Sequence, residues 1–266
     1  AGVHLNRVFG YPEVPKFDPF LLLDDFGSEK PEDYLAGFPW HPHRGIETVT
    51  YMLSGEIEHS DSLGNEGVIG PGDVQWMTAG SGIIHQEMPQ RVGSRLRGFQ
   101  LWTNLPAASK MTDPLYREVP ADSIPEVSPH DGLKIRIIAG EVVGVRGPVQ
   151  DVIVEPEYFD ITLEPGADLE HPTPSGHTVF AYAINGRGQV GPNGTHTLAR
   201  GQLALFTEGD SLLVRASDVP FRFLLVSGKP LGEPVAWSGP IVMNTREELA
   251  AAFREYQDGT FIKAKP

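Results

Sequence analysis

The chain has 266 residues, 40% of them apolar, with 30 glycines, 24 prolines, no cysteine and a formal net charge of −14. That length holds one large domain or two small ones, and so many glycines and prolines imply a turn-rich, all-β protein. The missing cysteines exclude disulfides and thiolate-ligated zinc or iron–sulfur sites and fit a reducing cytoplasm, while the negative charge argues against direct nucleic-acid binding and against adsorption to an anionic membrane.

From the N-terminus, no basic stretch followed by an apolar one marks a signal peptide. Because the chain starts at Ala1 rather than Met, some native N-terminal residues are expected to be missing. The apolar run Phe20–Leu23 ends at Asp24 and Asp25, and no run in the chain approaches the roughly 20 residues of a membrane span. Residues Thr48–Leu53, the Ser54-Gly55 turn and Glu56–Ser60 read as strand, turn, strand. Asp61–Gly67 is a second turn, Gly70–Asp73 a third, with Val74–Met77 and Ile83–Glu87 as further short strands.

A proline-rich stretch from Asp113 leads to a strand at Leu133–Ala139, and the second half then repeats the rhythm. Tyr158–Leu163 and Thr178–Ile184 read as strands, Asn185-Gly186 as a hairpin turn and Gly188–Val190 as its return. Gly201–Thr207 stands where Gly72–Thr78 stood, which predicts an internal duplication. Near the end, Thr245-Arg-Glu-Glu248 fits a capping box, and Leu249, Ala250, Phe253 and Tyr256 share one face of the helix it opens, which Asp258-Gly259 stops. Its expected role is packing.

Two short pieces carry the chemistry: Trp40-His41-Pro42-His43 and His85-Gln86-Glu87. Alternate residues of a strand share a face, so His41 and His43 project together, as do His85 and Glu87. If the pieces are neighbours inside a barrel, three imidazoles and one carboxylate converge on one point. That borderline-hard set suits Fe(II) and also Mn, Co, Ni, Cu or Zn, with positions left open on the ion. His4, His59, His130 and His196 read as ordinary surface or core histidines. Trp40, Met77 and Phe99 are candidates for an apolar wall beside the ion, though such residues are usually core.

The segment Gly37–Gly55, in the pattern G-x-x-W-H-P-H-R-G-x-E-T-V-x-Y-x-L-x-G, resembles the first motif of the pirin family. Gly72–Pro89 resembles its second motif, Asp18–Phe26 its N-terminal segment and Asn244–Phe261 its C-terminal helix. The resemblance implies two cupin β-barrels, jelly-roll-like, with a short C-terminal helix: a metal-binding N-terminal domain over residues 1–130 and a degenerate domain over 131–266. It implies one metal, usually iron, held by His41, His43, His85 and Glu87. Glu47, often a ligand in other cupins, is read as structural or as orienting a ligand histidine.

Aligning Gly201 with Gly72 puts Val214 in the place of His85 and Ala216 in that of Glu87, so the second barrel is expected to be metal-free. His171 and His177 are expected to be exposed loop residues. The family likeness suggests quercetin 2,3-dioxygenase activity on a flavonol or related aromatic, with Glu87 as ligand and catalytic base. The alternative is a redox-sensitive regulator whose metal state is read by a protein partner. A cytoplasmic monomer is the expected form.

Overall fold

Ile83–Gln90 shows the period-two pattern of a strand with one buried face, every second side chain being buried, whereas Val74–Thr78 is buried throughout. The computed structural model describes residues 2–191, 194–207 and 209–264. It divides into two compact units, Ala1–Ala121 with Leu231–Pro266, and Asp122–Pro230.

The first unit contains β1 (Leu5–Phe9), α1 (Val14–Phe17), β2 (Phe20–Ser28), β3 (Phe38–His43), β4 (Ile46–Ser54), β5 (Glu56–Asp61), β6 (Glu66–Ile69), β7 (Val74–Thr78), β8 (Ile83–Gln90), β9 (Leu96–Asn104) and β10 (Leu115–Val119). These strands form two antiparallel sheets, ordered β1-β2-β9-β4-β7-β10 and β3-β8-β5-β6.

The second unit contains β11 (Glu126–Val127), β12 (Leu133–Ala139), β13 (Glu141–Val142), β14 (Val145–Arg146), β15 (Glu157–Leu163), β16 (Asp168–Pro172), β17 (Thr178–Asn185), β18 (Arg187–Val190), β19 (His196–Ala199), β20 (Leu203–Leu205), β21 (Ser211–Ala216) and β22 (Phe221–Gly228). Its main sheets run β11-β12-β15-β22-β17-β20 and β16-β21-β18-β19. Strands β2 to β9 therefore match β15 to β22 one for one, in the same order in both sheets. The expected duplication is present as topology, and the fold is all-β with two cupin barrels.

The last segment holds a hairpin of β23 (Ala236–Ser238) and β24 (Ile241–Met243), then α2 (Arg246–Gln257). Thr245 caps α2: its side chain accepts from the Glu248 amide, and the Glu248 carboxylate accepts from the Thr245 amide. Such a cap stabilises a helix by about 1 kcal/mol. The sequence groups this segment with the second half, but in the structure it packs within the first unit.

Two buried cations hold it there. The Arg44 guanidinium donates to the Glu255 carboxylate (2.7 Å), to the carbonyls of Ser81 (2.7 Å) and Phe261 (2.8 Å), and lies 4.2 Å from the centre of the Phe261 ring. The Lys110 ammonium donates to the carbonyls of Gly45 (2.8 Å) and Val242 (3.0 Å) and to the Asn104 side chain (2.7 Å), so all three of its N–H bonds are used. None of the described helices is long and apolar enough to cross a membrane.

Candidate metal centre

Strand β8 is the spine of the site. It pairs with β3 on one side, setting His41 opposite His85, and with β5 on the other, setting Asp61 opposite His85 and His59 opposite Glu87. A register shift between Phe38 and His41 interrupts the β3 ladder, and Pro42, which has no N–H to give, pairs only with Ile84. Gly45 then turns the chain into β4 with φ +78°, where a side chain would meet the Val242 carbonyl at 2.0 Å.

His41, His43 and His85 come together as expected. Their ring nitrogens form a set capable of holding one metal ion, each lying within 4.8 Å of the others. The hydrogen bonds fix which nitrogens face inward. Nδ1 of His41 donates to the Pro39 carbonyl at 2.8 Å and Nδ1 of His43 to the Pro240 carbonyl at 3.0 Å. A carbonyl only accepts, so in the neutral rings both Nε2 atoms carry lone pairs.

These two lone-pair nitrogens sit 3.1 Å apart, and the His85 Nε2 is 2.9 Å from that of His41. Facing lone pairs at this distance repel unless a proton or cation lies between them. Two nitrogens each about 2.1 Å from one ion and at right angles to each other would be about 3.0 Å apart. The donor set and its spacing thus fit a divalent transition metal. Burial pushes the His43 imidazolium down to about 3, helped by the neighbouring His41 and opposed by the Pro240 carbonyl. Burial and the adjacent histidines push His85 down as well. Both rings are therefore neutral, as metal ligands must be.

Glu87 is buried and shares the inward face of β8 with His85, but its carboxylate does not join the close histidine set. It accepts instead from the Thr50 hydroxyl (3.1 Å) and from the Gln100 amide (3.0 and 3.3 Å). The Trp102 indole N–H donates to the Gln100 carbonyl oxygen at 3.1 Å, which turns the Gln100 amide nitrogen toward Glu87. Trp102 also meets the His43 ring edge-on, 4.9 Å between centroids.

The other expectations divide. Glu47 is buried and pairs across the sheet with Thr78 and Thr103, on the face opposite Thr48 and Thr50. Thr78 donates to it at 2.6 Å, and burial raises its carboxyl above the usual range despite that bond. It therefore orients no site histidine directly. Of the proposed apolar wall, only Met77 lies on the inner face, packed with Ile46, Ile83 and Trp102. Phe99 pairs with Tyr51 and so points to the opposite face, and Trp40 is 49% exposed.

His59 is the residue that the sequence reading undervalued. It is fully buried, 3.4 Å from His85 through their Nδ1 atoms, stacked on Tyr116, and 3.6 Å from the Asp61 carboxylate. Burial pushes Asp61 up, but hydrogen bonds from His59, Asn65 and Leu63 outweigh it and hold the carboxyl low. The available signal was spacing: His59 and Asp61 alternate on the strand that follows the first motif. His4, His130 and His196 are exposed as expected.

In the second unit, the sheet register sets Leu169 opposite Val214 and Gly188 opposite Ala216. Leu169, Val214 and Ala216 thus stand where His41, His85 and Glu87 stand in the first. His171 is not the exposed loop residue expected. It lies on β16, buried, with its Nε2 3.1 Å from the Glu157 carboxylate, which also accepts from Ser227 at 2.7 Å. The chain turns this histidine inward because it pairs with Leu212 at the position equivalent to His43. His177 borders a separate cleft of the second unit with Phe206, Asp210 and Leu213.

The comparisons with known proteins agree with this geometry. The pirin family model matches residues 2–103, and the model of the pirin C-terminal cupin domain matches residues 158–262. A pirin-like protein of Caulobacter vibrioides is 46% identical over 98% of this chain and 94% of its own. Human pirin is 42% identical over 100% of this chain and 91% of its own. Among solved structures, a quercetin 2,3-dioxygenase from Acinetobacter baumannii superposes with a TM-score of 0.90 at 34% identity, covering 98% of this chain and 95% of that one. Matched in both halves and across its full length, with the three histidines of the family motif gathered at one point, the chain belongs to the pirin family.

Proposed function

We propose that this protein is a mononuclear, metal-dependent oxygenase of the quercetin 2,3-dioxygenase kind, acting on a flavonol or a related hydroxylated aromatic. His41, His43, His85 and Glu87 hold the metal in this reading, and Fe(II) is the ion used in the cytoplasm. The observation that carries it is the facing of the His41 and His43 lone-pair nitrogens at 3.1 Å, the other nitrogen of each ring being bonded to a carbonyl, with the His85 Nε2 2.9 Å from that of His41. The likeness to the solved quercetin 2,3-dioxygenase of Acinetobacter baumannii supports the choice of reaction.

When bound, the ion supplies Lewis acidity toward the substrate oxygen and, if redox-active, electron exchange with dioxygen. The remaining work falls to the chain. Glu87 takes the proton of the substrate hydroxyl at its carboxylate. Thr50 is suited to follow that change, because its hydroxyl donates to the ionised carboxylate and can turn to accept from the protonated one. Gln100, locked by Trp102, keeps the carboxylate oriented throughout. Met77, Ile46 and Ile83 keep water from the inner side of the histidines.

The test is oxygen uptake with quercetin and several other flavonols, using protein loaded in turn with Fe, Mn, Co, Ni, Cu and Zn. Glu87→Gln should lower turnover by about 10²–10⁴, the usual cost of losing a general base, and by more than it lowers metal occupancy in the same sample. Activity that follows occupancy alone would reduce Glu87 to a ligand. No uptake above that of the free metals would defeat the oxygenase reading and leave the regulator reading in its place.

A further inference from the structure

The first unit contains a row of aromatic rings that leads from the histidine cluster to the surface. His43 touches Trp102 edge-on at 4.9 Å, Trp102 lies 5.9 Å from Trp237, and Trp237 lies 5.6 Å from Tyr11. The exposure rises along it: Trp102 is 9% exposed and Tyr11 63%. Both indoles have fixed N–H partners, Trp102 on Gln100 and Trp237 on the Gly239 carbonyl at 2.7 Å.

Aromatic contacts are ordinary in a barrel core, but this row differs in two respects. It is built from Trp and Tyr, the side chains most easily oxidised by one electron after the thiols, and this chain has no cysteine. It also runs outward from a metal-binding histidine and ends in solvent rather than closing on itself. Two of the chain's four tryptophans lie in it, and residues 122–230 of the second unit contain none. There, Ser227 stands in the place of Trp102.

We propose that Trp102, Trp237 and Tyr11 form a discharge path for a strongly oxidising equivalent left at the centre when oxygen or peroxide reacts without substrate. The proposal rests on the reading that the histidines hold a redox-active metal. Trp102 gives one electron to the oxidising centre and regains one from Trp237. Trp237 regains one from Tyr11, which releases its phenolic proton to water as it becomes a neutral radical. A thiol or ascorbate at the surface then returns one hydrogen atom to Tyr11 and is itself oxidised by one electron. The net result is one electron passed from the external reductant to the centre and one proton released to solvent, with no residue consumed.

The experiment uses the full chain loaded with iron(II), its metal content measured, then treated with hydrogen peroxide in the absence of substrate. Freeze-quench electron paramagnetic resonance should show a tyrosyl radical that is missing in Tyr11→Phe and several-fold weaker in Trp237→Phe. Trp237→Tyr, which keeps an oxidisable ring, should restore it. Peptide mass mapping should show oxidation moving to Trp102 and to His41, His43 and His85 in Trp237→Phe, and ascorbate should protect the wild-type protein far better than that variant. Equal radical yield and equal damage in wild type and Trp237→Phe at equal iron content would overturn the path alone. A wild-type protein that binds no iron, or one that keeps its iron in His41→Ala and His85→Ala, would overturn the metal reading and the path together.

Discussion

The two barrels share one topology and differ in what fills them. In the first unit the inward positions of β3, β5 and β8 hold His41, His43, His59, Asp61, His85 and Glu87, with Thr50 and Gln100 on the facing sheet. In the second, the matching positions hold Leu169, His171, Gly188, Val190, Val214 and Ala216, with Ala181 and Leu225 opposite; apart from His171, which is bonded to Glu157, nearly all belong to one apolar cluster. Gly188 makes the exchange concrete: a side chain there would meet the Phe221 ring at 2.5 Å, so the space taken by His59 in one barrel is occupied by Phe221 in the other. The strand framework tolerates either filling. A polar interior persists only where its groups satisfy one another or hold an ion, because an unpaired buried polar group costs about 1–3 kcal/mol.

The most direct way to break the contrast is to give the first barrel a residue of the second. His85→Val should abolish stoichiometric metal binding, which elemental analysis after purification without added metal will show; retention of a full equivalent would mean that His85 is not a ligand. Gln100→Leu, again the second barrel's choice, leaves the histidines intact but frees the Glu87 carboxylate. If Glu87 is the proposed fourth ligand, this should weaken metal affinity by about 10–100-fold, the usual effect of losing a partner that orients a ligand, measured by competition with a chelator.

The reverse exchange, Val214→His, buries an imidazole among apolar side chains without a partner and should cost about 1–3 kcal/mol in chemical denaturation. Acid should also act on the histidine-filled barrel of the metal-free protein. The folded-state value of His43 is about 3 against an ordinary 6.5, so between these values the unfolded chain binds more protons. Stability from this group is complete above about 6.5 and is lost as the pH falls toward 3. His85 shifts in the same direction, so denaturation of metal-free His85→Val should be less sensitive to pH over that window than the metal-free wild type. The smallest effect is expected for His171→Ala, which should leave metal content unchanged because Leu169, Val214 and Ala216, in the places of His41, His85 and Glu87, offer no donor atoms and the His171 Nε2 is already engaged by Glu157.

Much of the site was legible before any coordinates. Histidines two apart at 41 and 43, and a histidine and carboxylate two apart at 85 and 87, fall on one face of any strand that contains them, because a strand alternates sides at every residue. Equally local signals gave the turns and the capped helix, through turn residues and the Thr245–Glu248 capping box, and the recurrence of Gly72–Thr78 at Gly201–Thr207 carried the duplication. What the chain alone determined is therefore the pattern of short strands and the identity of residues able to bind a metal.

Tertiary structure decided the rest, and in each case the reason is pairing between distant segments, which no local pattern encodes. It set Asp61 and His59 beside β8 and so brought a histidine that reads as ordinary in the sequence against His85. It decided which face of that sheet is inward, that of Thr50 and Gln100 rather than that of Glu47 and Phe99. It placed His171 on a buried strand against Glu157. It also returned the C-terminal segment to the first unit, where the Pro240 carbonyl fixes the His43 tautomer, Arg44 and Lys110 find the acceptors that let them stay buried, and Trp237 joins Trp102 to Tyr11.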